Sequence, residues 1–140
     1  MSDPACPACA GAWPDPGHRI AGLSLTVAYL HEDQFLPGWT ILVLRRHATE
    51  LWELTPDERA ELLEEVTLVA RALDEAYGAA KLNYALLGNQ IPHVHWHLVP
   101  RRPDDPAPRE APWSIAHAPR RLAGPALEAA LATLRLRLPH

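Results

Sequence analysis

Apolar residues recur along this chain with two different periods. From Leu23 to Leu30 they alternate, with Leu23, Leu25, Val27 and Tyr29 separated by smaller or more polar residues, which is the pattern of a half-buried strand. After the Pro37-Gly38 turn signal, the stretch from Trp39 to Arg45 is rich in Ile, Val and Leu and predicts a second strand antiparallel to the first. At Thr55 the period lengthens. Thr55-Pro56-Asp57-Glu58 combines a hydroxyl N-cap, a proline at the first helical position and a capping-box glutamate. Leu62, Val66, Val69, Ala70, Leu73 and Tyr77 then follow at helical spacing as far as the stop signal Gly78. Leu82 to Leu87 and Val94 to Val99 predict two further strands around a short Gly88-Asn89-Gln90 turn region, and Gly124 to Leu138 predicts a final helix from its Ala and Leu content. The expected fold is α+β: a β-β-α-β-β core in which an antiparallel sheet carries one long helix, followed by a C-terminal helix.

Proline marks the limits of that core. Twelve of the 15 prolines lie outside residues 18–99, four before and eight after. A chain of 140 residues is expected to form one domain, with an N-terminal arm over 1–17, a core over 18–101 and a C-terminal extension over 102–140. Its 48% apolar and 21% charged residues are ordinary for a globular protein. A formal net charge of -4 disfavours binding to nucleic-acid backbone as the main activity, while leaving room for a local phosphate pocket. No signal-peptide pattern and no apolar run of transmembrane length is found, so a cytoplasmic protein with no membrane partner is expected. In a reducing compartment the tight pair Cys6 and Cys9 suggests half of a metal site more readily than a disulfide.

The densest chemistry lies in Pro92-His93-Val94-His95-Trp96-His97-Leu98-Val99-Pro100, where three of the eight histidines fall within five residues. At about 3.3 Å of rise per residue, alternate positions of a strand share one face some 6–7 Å apart. The three imidazoles are therefore expected on one face and Val94, Trp96 and Leu98 on the other. Imidazole titrates near neutrality, so one ring can act as a neutral nucleophile while a neighbour donates a hydrogen bond or a proton. Crowding penalises simultaneous protonation. The plainer alternative is an exposed strand face or a metal-chelating patch.

The run HVHWHLVPR resembles the signature of the histidine-triad family. The likeness extends over most of residues 6–101, through the Cys-x-x-Cys pair, the Pro-Gly turn, Arg45-Arg46-His47, the long helix and the strand before the triad. It implies a homodimer that hydrolyses or transfers nucleoside monophosphates through a covalent nucleotidyl-histidine, acting on a nucleotide such as a dinucleoside polyphosphate or on a nucleoside phosphoramidate. Galactose-phosphate uridylyltransferases share the wider fold. A non-catalytic nucleotide-binding or zinc-binding regulatory protein is the alternative.

By position, the resemblance implies His95 as nucleophile, His97 as the residue that contacts phosphate and assists the leaving group, and His93 as a supporting, substrate-side residue. Asn89 and Gln90 fall where relatives carry a Gly-Gln-Ser or Gly-Gln-Thr stretch that holds the α-phosphate, and His31 falls near a ribose-binding position. Trp39 stands where many relatives have the histidine of Pro-Gly-His. The family pattern also implies a closed structural zinc site of Cys6, Cys9, His47 and His93. Among the five tryptophans, Trp96 is expected in the core, Trp52 under the helix, and Trp39 and Trp113 beside a nucleobase or a dimer contact. At most one of Arg101 and Arg102 is expected to steer phosphate.

Overall fold

The computed structural model describes residues 2–139. Its antiparallel sheet has five strands: β1 (Arg19–Gly22), β2 (Thr26–Leu30), β3 (Thr40–Leu44), β4 (Lys81–Ala85) and β5 (His95–Arg101), in the spatial order β1-β2-β3-β5-β4. Two helices, α1 (Pro56–Tyr77) and α2 (Gly124–Arg135), complete an α+β fold. The expected β-β-α-β-β core thus gains a strand at its start. The expected strand from Leu23 to Leu30 is broken at its beginning, because Leu23 to Leu25 form the turn that joins β1 to β2. There the Leu23 amide donates to Thr26 O at 2.7 Å, and the buried Glu65 of α1 accepts from the Leu25 amide at 2.9 Å and the Thr26 hydroxyl at 2.6 Å.

Pairing settles which side chains share a face. Val43 lies opposite His95 and Ile41 opposite His97, while Leu42 lies opposite Trp96 and Thr40 opposite Leu98. On β2 the buried positions are Thr26, Ala28 and Leu30, so the alternation falls on the opposite set from the one expected, Val27 and Tyr29 pointing towards the histidine face. Period two fixes that faces differ but not which is covered by helices. On the helix side Ala28, Leu30, Leu42 and Leu98 pack with Val66, Val69 and Leu73 of α1 and with Leu131 and Leu134 of α2.

α1 begins where its capping chemistry dictates. Thr55 Oγ1 accepts from the Glu58 amide at 3.1 Å, Glu58 Oε1 accepts from the Thr55 amide at 2.9 Å, and Gly78 closes the helix at φ 63°. β5 runs through Pro100, past the end of its pairing with β3 at Leu98. A residue without an N–H is tolerated there because only β4 flanks it. Trp96 packs between two core clusters as expected, but Trp52 is 77% exposed and does not lie under the helix. No helix among the described residues is long and apolar enough to cross a membrane.

Candidate active site

β5 carries the histidine pair into a cavity of about 340 Å³. His95 and His97 form part of its wall, their ring centroids 5.2 Å apart, and His31, Asn89 and Gln90 line the same cavity. The strand alternation of β5, the β4–β5 connection and the start of the β2–β3 loop therefore bring together five of the residues singled out from sequence. His93 is placed elsewhere. It precedes β5, is fully buried and is absent from the cavity wall. Its Nε2 donates to Leu44 O at 2.7 Å while its Nδ1 turns to the two cysteines. With both ring nitrogens engaged away from the cavity, it has no nitrogen free for substrate.

The two cavity histidines have opposite proton placements. His95 Nδ1 lies 2.6 Å from His93 O, and since a carbonyl can only accept, Nδ1 carries the proton and Nε2 keeps its lone pair. His97 Nδ1 instead accepts from the Trp39 indole N–H at 3.0 Å, so its proton sits on Nε2. Burial pushes His95 below the ordinary imidazole range despite the His93 carbonyl, and lowers His31 likewise. For His97, burial and then the neighbouring His95 and His31 push it down to about 3. Both rings of the pair are neutral at physiological pH.

Trp39 is 2% exposed, so it borders neither a nucleobase nor a dimer contact; it stacks on His31 and serves His97 from behind. Trp113 does reach the cavity, edge-on to His97 at 5.1 Å. Sequence reasoning missed Trp13, which meets His95 edge-on at 4.8 Å, and Gln34, whose buried amide ties the loop between β2 and β3. The signal for Trp13 is indirect: Cys6 and Cys9 lie against His93, two residues before His95, which brings the residues that follow them near His95. Neither arginine faces the cavity. Arg101 is buried, donating to Asp105, Asn83 Oδ1, Ala107 O and Glu110 O, and Arg102 lies beside exposed Asp104.

Next to this cavity, Cys6, Cys9, His47 and His93 converge, with one ligand atom of each within 4.8 Å of all the others. The separations are 3.4 Å for Cys6 Sγ to His93 Nδ1, 3.4 Å for Cys9 Sγ to His47 Nδ1, 3.7 Å for Cys9 Sγ to His93 Nδ1 and 3.2 Å between the two Nδ1 atoms. Tetrahedral edges around an ion with bonds of about 2.0–2.3 Å are roughly 3.3–3.8 Å long. The Leu44 carbonyl fixes the His93 proton on Nε2, leaving Nδ1 as a lone-pair ligand, the usual orienting contact for a metal-bound imidazole. These four residues can hold a metal ion.

Among known proteins, the chain is 29% identical over 86 residues to the asymmetrical bis(5'-nucleosyl)-tetraphosphatase of Schizosaccharomyces pombe, covering 58% of this chain and 47% of that one. It thus spans about half the length of that curated relative. A histidine triad protein from Sinorhizobium meliloti has a similar structure, with a TM-score of 0.78 and 33% identity over 86% of this chain and 88% of the other. A Zn-bound histidine triad family protein from Mycobacterium smegmatis gives 0.70 and 25% over 95% and 92%. Residues 15–104, which include the histidine pair and Trp39, match the family model described as HIT domain. The chain belongs to the HIT domain family.

Proposed function

We propose that this chain is a nucleotide hydrolase or nucleotidyl transferase that works at the α-phosphate through a nucleotidyl-His95 intermediate. The observation that carries this is the state of His95: a neutral ring on a cavity wall, its Nδ1 proton held by a backbone carbonyl, with no partner for Nε2 among the described residues. Such a nitrogen needs no further base to act as a nucleophile. Its lone pair attacks the α-phosphorus as the bond to the leaving group breaks, and that bond's electron pair departs with the leaving atom. His97 Nε2–H donates a hydrogen bond to the departing group. Water then attacks phosphorus, the P–N bond breaks with its electrons returning to Nε2, and nucleoside monophosphate is released. His31, Asn89 and Gln90 supply polar contacts to ribose and phosphate from the same cavity. The activity named for the S. pombe relative, on a dinucleoside tetraphosphate, supports this substrate class.

Zinc is the ion proposed for Cys6, Cys9, His47 and His93, supported by the Zn-bound relative and by the mixed thiolate and imidazole donor set. When bound it supplies a structural anchor, since four protein ligands leave no position for an activated water. Residues 1–140 are read as one domain acting in the cytoplasm, where the cysteines stay reduced. A homodimer is proposed through β4, which lies at the sheet edge and bears the exposed Tyr84.

The test is incubation with a dinucleoside tetraphosphate, with products and intact protein read by mass spectrometry. Nucleoside monophosphate and a protein species heavier by one nucleotidyl group are expected, and both are lost in His95→Ala. Near wild-type turnover by His95→Ala overturns the mechanism. Tight binding without turnover by the wild-type protein turns the assignment to the non-catalytic alternative.

A further inference from the structure

Trp39 is held from several directions. Its carbonyl accepts from the His31 amide and from Gln34 Nε2, each at 2.9 Å, and the Gly38 amide before it donates to Gln34 Oε1 at 2.9 Å. Gly38 has φ +92°, and a Cβ there would lie 2.8 Å from Pro100 Cγ and from carbons of the Tyr77 ring, so the turn that delivers the indole has little freedom to move. The indole N–H is a donor and never an acceptor. The ring facing it, His97, must therefore keep Nδ1 unprotonated for the 3.0 Å bond to exist. Its Nε2–H has no partner among the described residues and belongs to the wall beside His95.

We infer that Trp39 holds His97 as a neutral hydrogen-bond donor that cannot serve as a proton source, and thereby selects nucleoside phosphoanhydrides over nucleoside phosphoramidates. This selection rests on the role of His95 proposed above. To give up a proton His97 must first become imidazolium, and its second proton would then meet the Trp39 N–H donor to donor. The groups sharing its cavity are His95 on its own strand and His31 and Glu32 after β2, while Trp13, Trp39 and Trp113 carry no charge. Burial and the two imidazoles favour the neutral ring, and the Trp39 N–H adds to them by occupying the nitrogen that a second proton would need. The consequence depends on the bond that breaks. When P–O breaks, the electron pair rests on a phosphate oxygen that is stable as an anion, and a hydrogen bond from Nε2 suffices. When P–N breaks, the nitrogen must gain a proton to leave as an amine, and His97 has none to give.

Two measurements on the intact protein test this. Long-range proton–nitrogen NMR of nitrogen-15-labelled protein at pH 7 is expected to show His97 as the Nε2–H tautomer, and Trp39→Phe to abolish its sole occupancy. In parallel, kcat/KM is compared for a dinucleoside tetraphosphate and an alkylamine phosphoramidate of the same nucleoside. General acid assistance is worth about 10²–10⁴-fold, so the wild type is expected to prefer the anhydride by at least about 10²-fold and Trp39→Phe to narrow that ratio by about tenfold or more. Because Trp39 is buried, His97→Gln provides a second variant. Its carboxamide oxygen can accept from Trp39 and its NH2 can donate into the cavity, so it should retain about tenfold more anhydride turnover than His97→Ala. An Nδ1–H tautomer or imidazolium in the wild type overturns the inference, as does a substrate ratio unmoved by Trp39→Phe, or His97→Gln as inactive as His97→Ala. If the Nε2–H tautomer is present but neither substrate is turned over, the proposed function fails, and the selectivity with it, while the Trp39 contact stands.

Discussion

Trp39 and Trp96 use their indole N–H groups differently. Trp39 Nε1 donates to His97, whereas Trp96 Nε1 is buried with no partner among the described residues. Leaving such a donor unpaired costs about 1–3 kcal/mol, which offsets much of what the larger ring gains by packing. Trp96→Phe is accordingly expected to change unfolding stability by no more than about 1 kcal/mol, and Trp39→Phe to lower it by about 1–3 kcal/mol. Urea denaturation monitored by circular dichroism measures both, and a larger loss for Trp96→Phe contradicts the assignment. At this scale sequence carries far in one respect and fails in another. Period-two spacing fixes that His95 and His97 share a face, and Asn89 and Gln90 reach that face because a short connection leaves them nowhere else to go. The contact between Trp39 and His97 spans 58 residues and depends on how β3 registers against β5, which no local pattern encodes.

Elements divide in the same way. α1 was legible because its capping box and its C-terminal glycine are local chemistry. β1 was not, since Arg19-Ile20-Ala21-Gly22 is too short to display an alternation and acquires its pairing from β2. The proline-rich stretch after β5 is irregular as expected, yet it is fixed: Arg101 gathers its carbonyls, and residues 112–121 are fastened across the site. His117 Nε2 lies 2.8 Å from Asp33 Oδ2 and its ring stacks on Phe35, while Arg120 N donates to Asp33 Oδ1 at 2.9 Å. The Ile115 carbonyl and then Asp33 raise His117 above its ordinary range. Burial alone would raise Asp33, but the Arg120 amide, His117 and the Phe35 amide hold it low. A raised histidine stabilises fully below its unfolded value of about 6.5 and loses that contribution as pH climbs through the folded one; a depressed aspartate stabilises above about 3.9 and loses it only as pH falls below. The fastening is therefore tightest between about pH 4 and 6.5. Amide exchange over 112–121, corrected for the intrinsic rate, should be slower at pH 5.5 than at pH 8.5, with Asp33→Asn removing the difference. Equal protection at both pH values in the wild type excludes this pair as the fastener.

For the whole molecule, the cluster of Cys6, Cys9, His47 and His93 links the N-terminal arm to the strand that carries the proposed nucleophile. Cys6 and Cys9 meet His93, two residues before His95, and Trp13 follows onto the His95 ring. Removing the proposed zinc, by chelation or by Cys6→Ala with Cys9→Ala, is expected to take elemental content from one ion per chain to none and to expose residues 2–17 to proteolysis. Nucleotide affinity should fall several-fold while far-ultraviolet circular dichroism is unchanged. Full zinc content in the double variant, or an arm as resistant as in the wild type, rules the site out. The sequence pattern suggests these four residues together through the resemblance, but it does not show that their convergence brings a tryptophan onto His95.

His95 and His97 are encoded in three consecutive residues of one strand, whereas the two tryptophans beside them arrive from the chain's opposite flanks, at positions 13 and 113. The part of the cavity wall that they supply can therefore change without any change in β5 or in the Trp39 contact behind it. Grafting the flanks of one relative onto the sheet of another becomes a route to reshape that wall, with His95, His97 and Trp39 passed on unaltered.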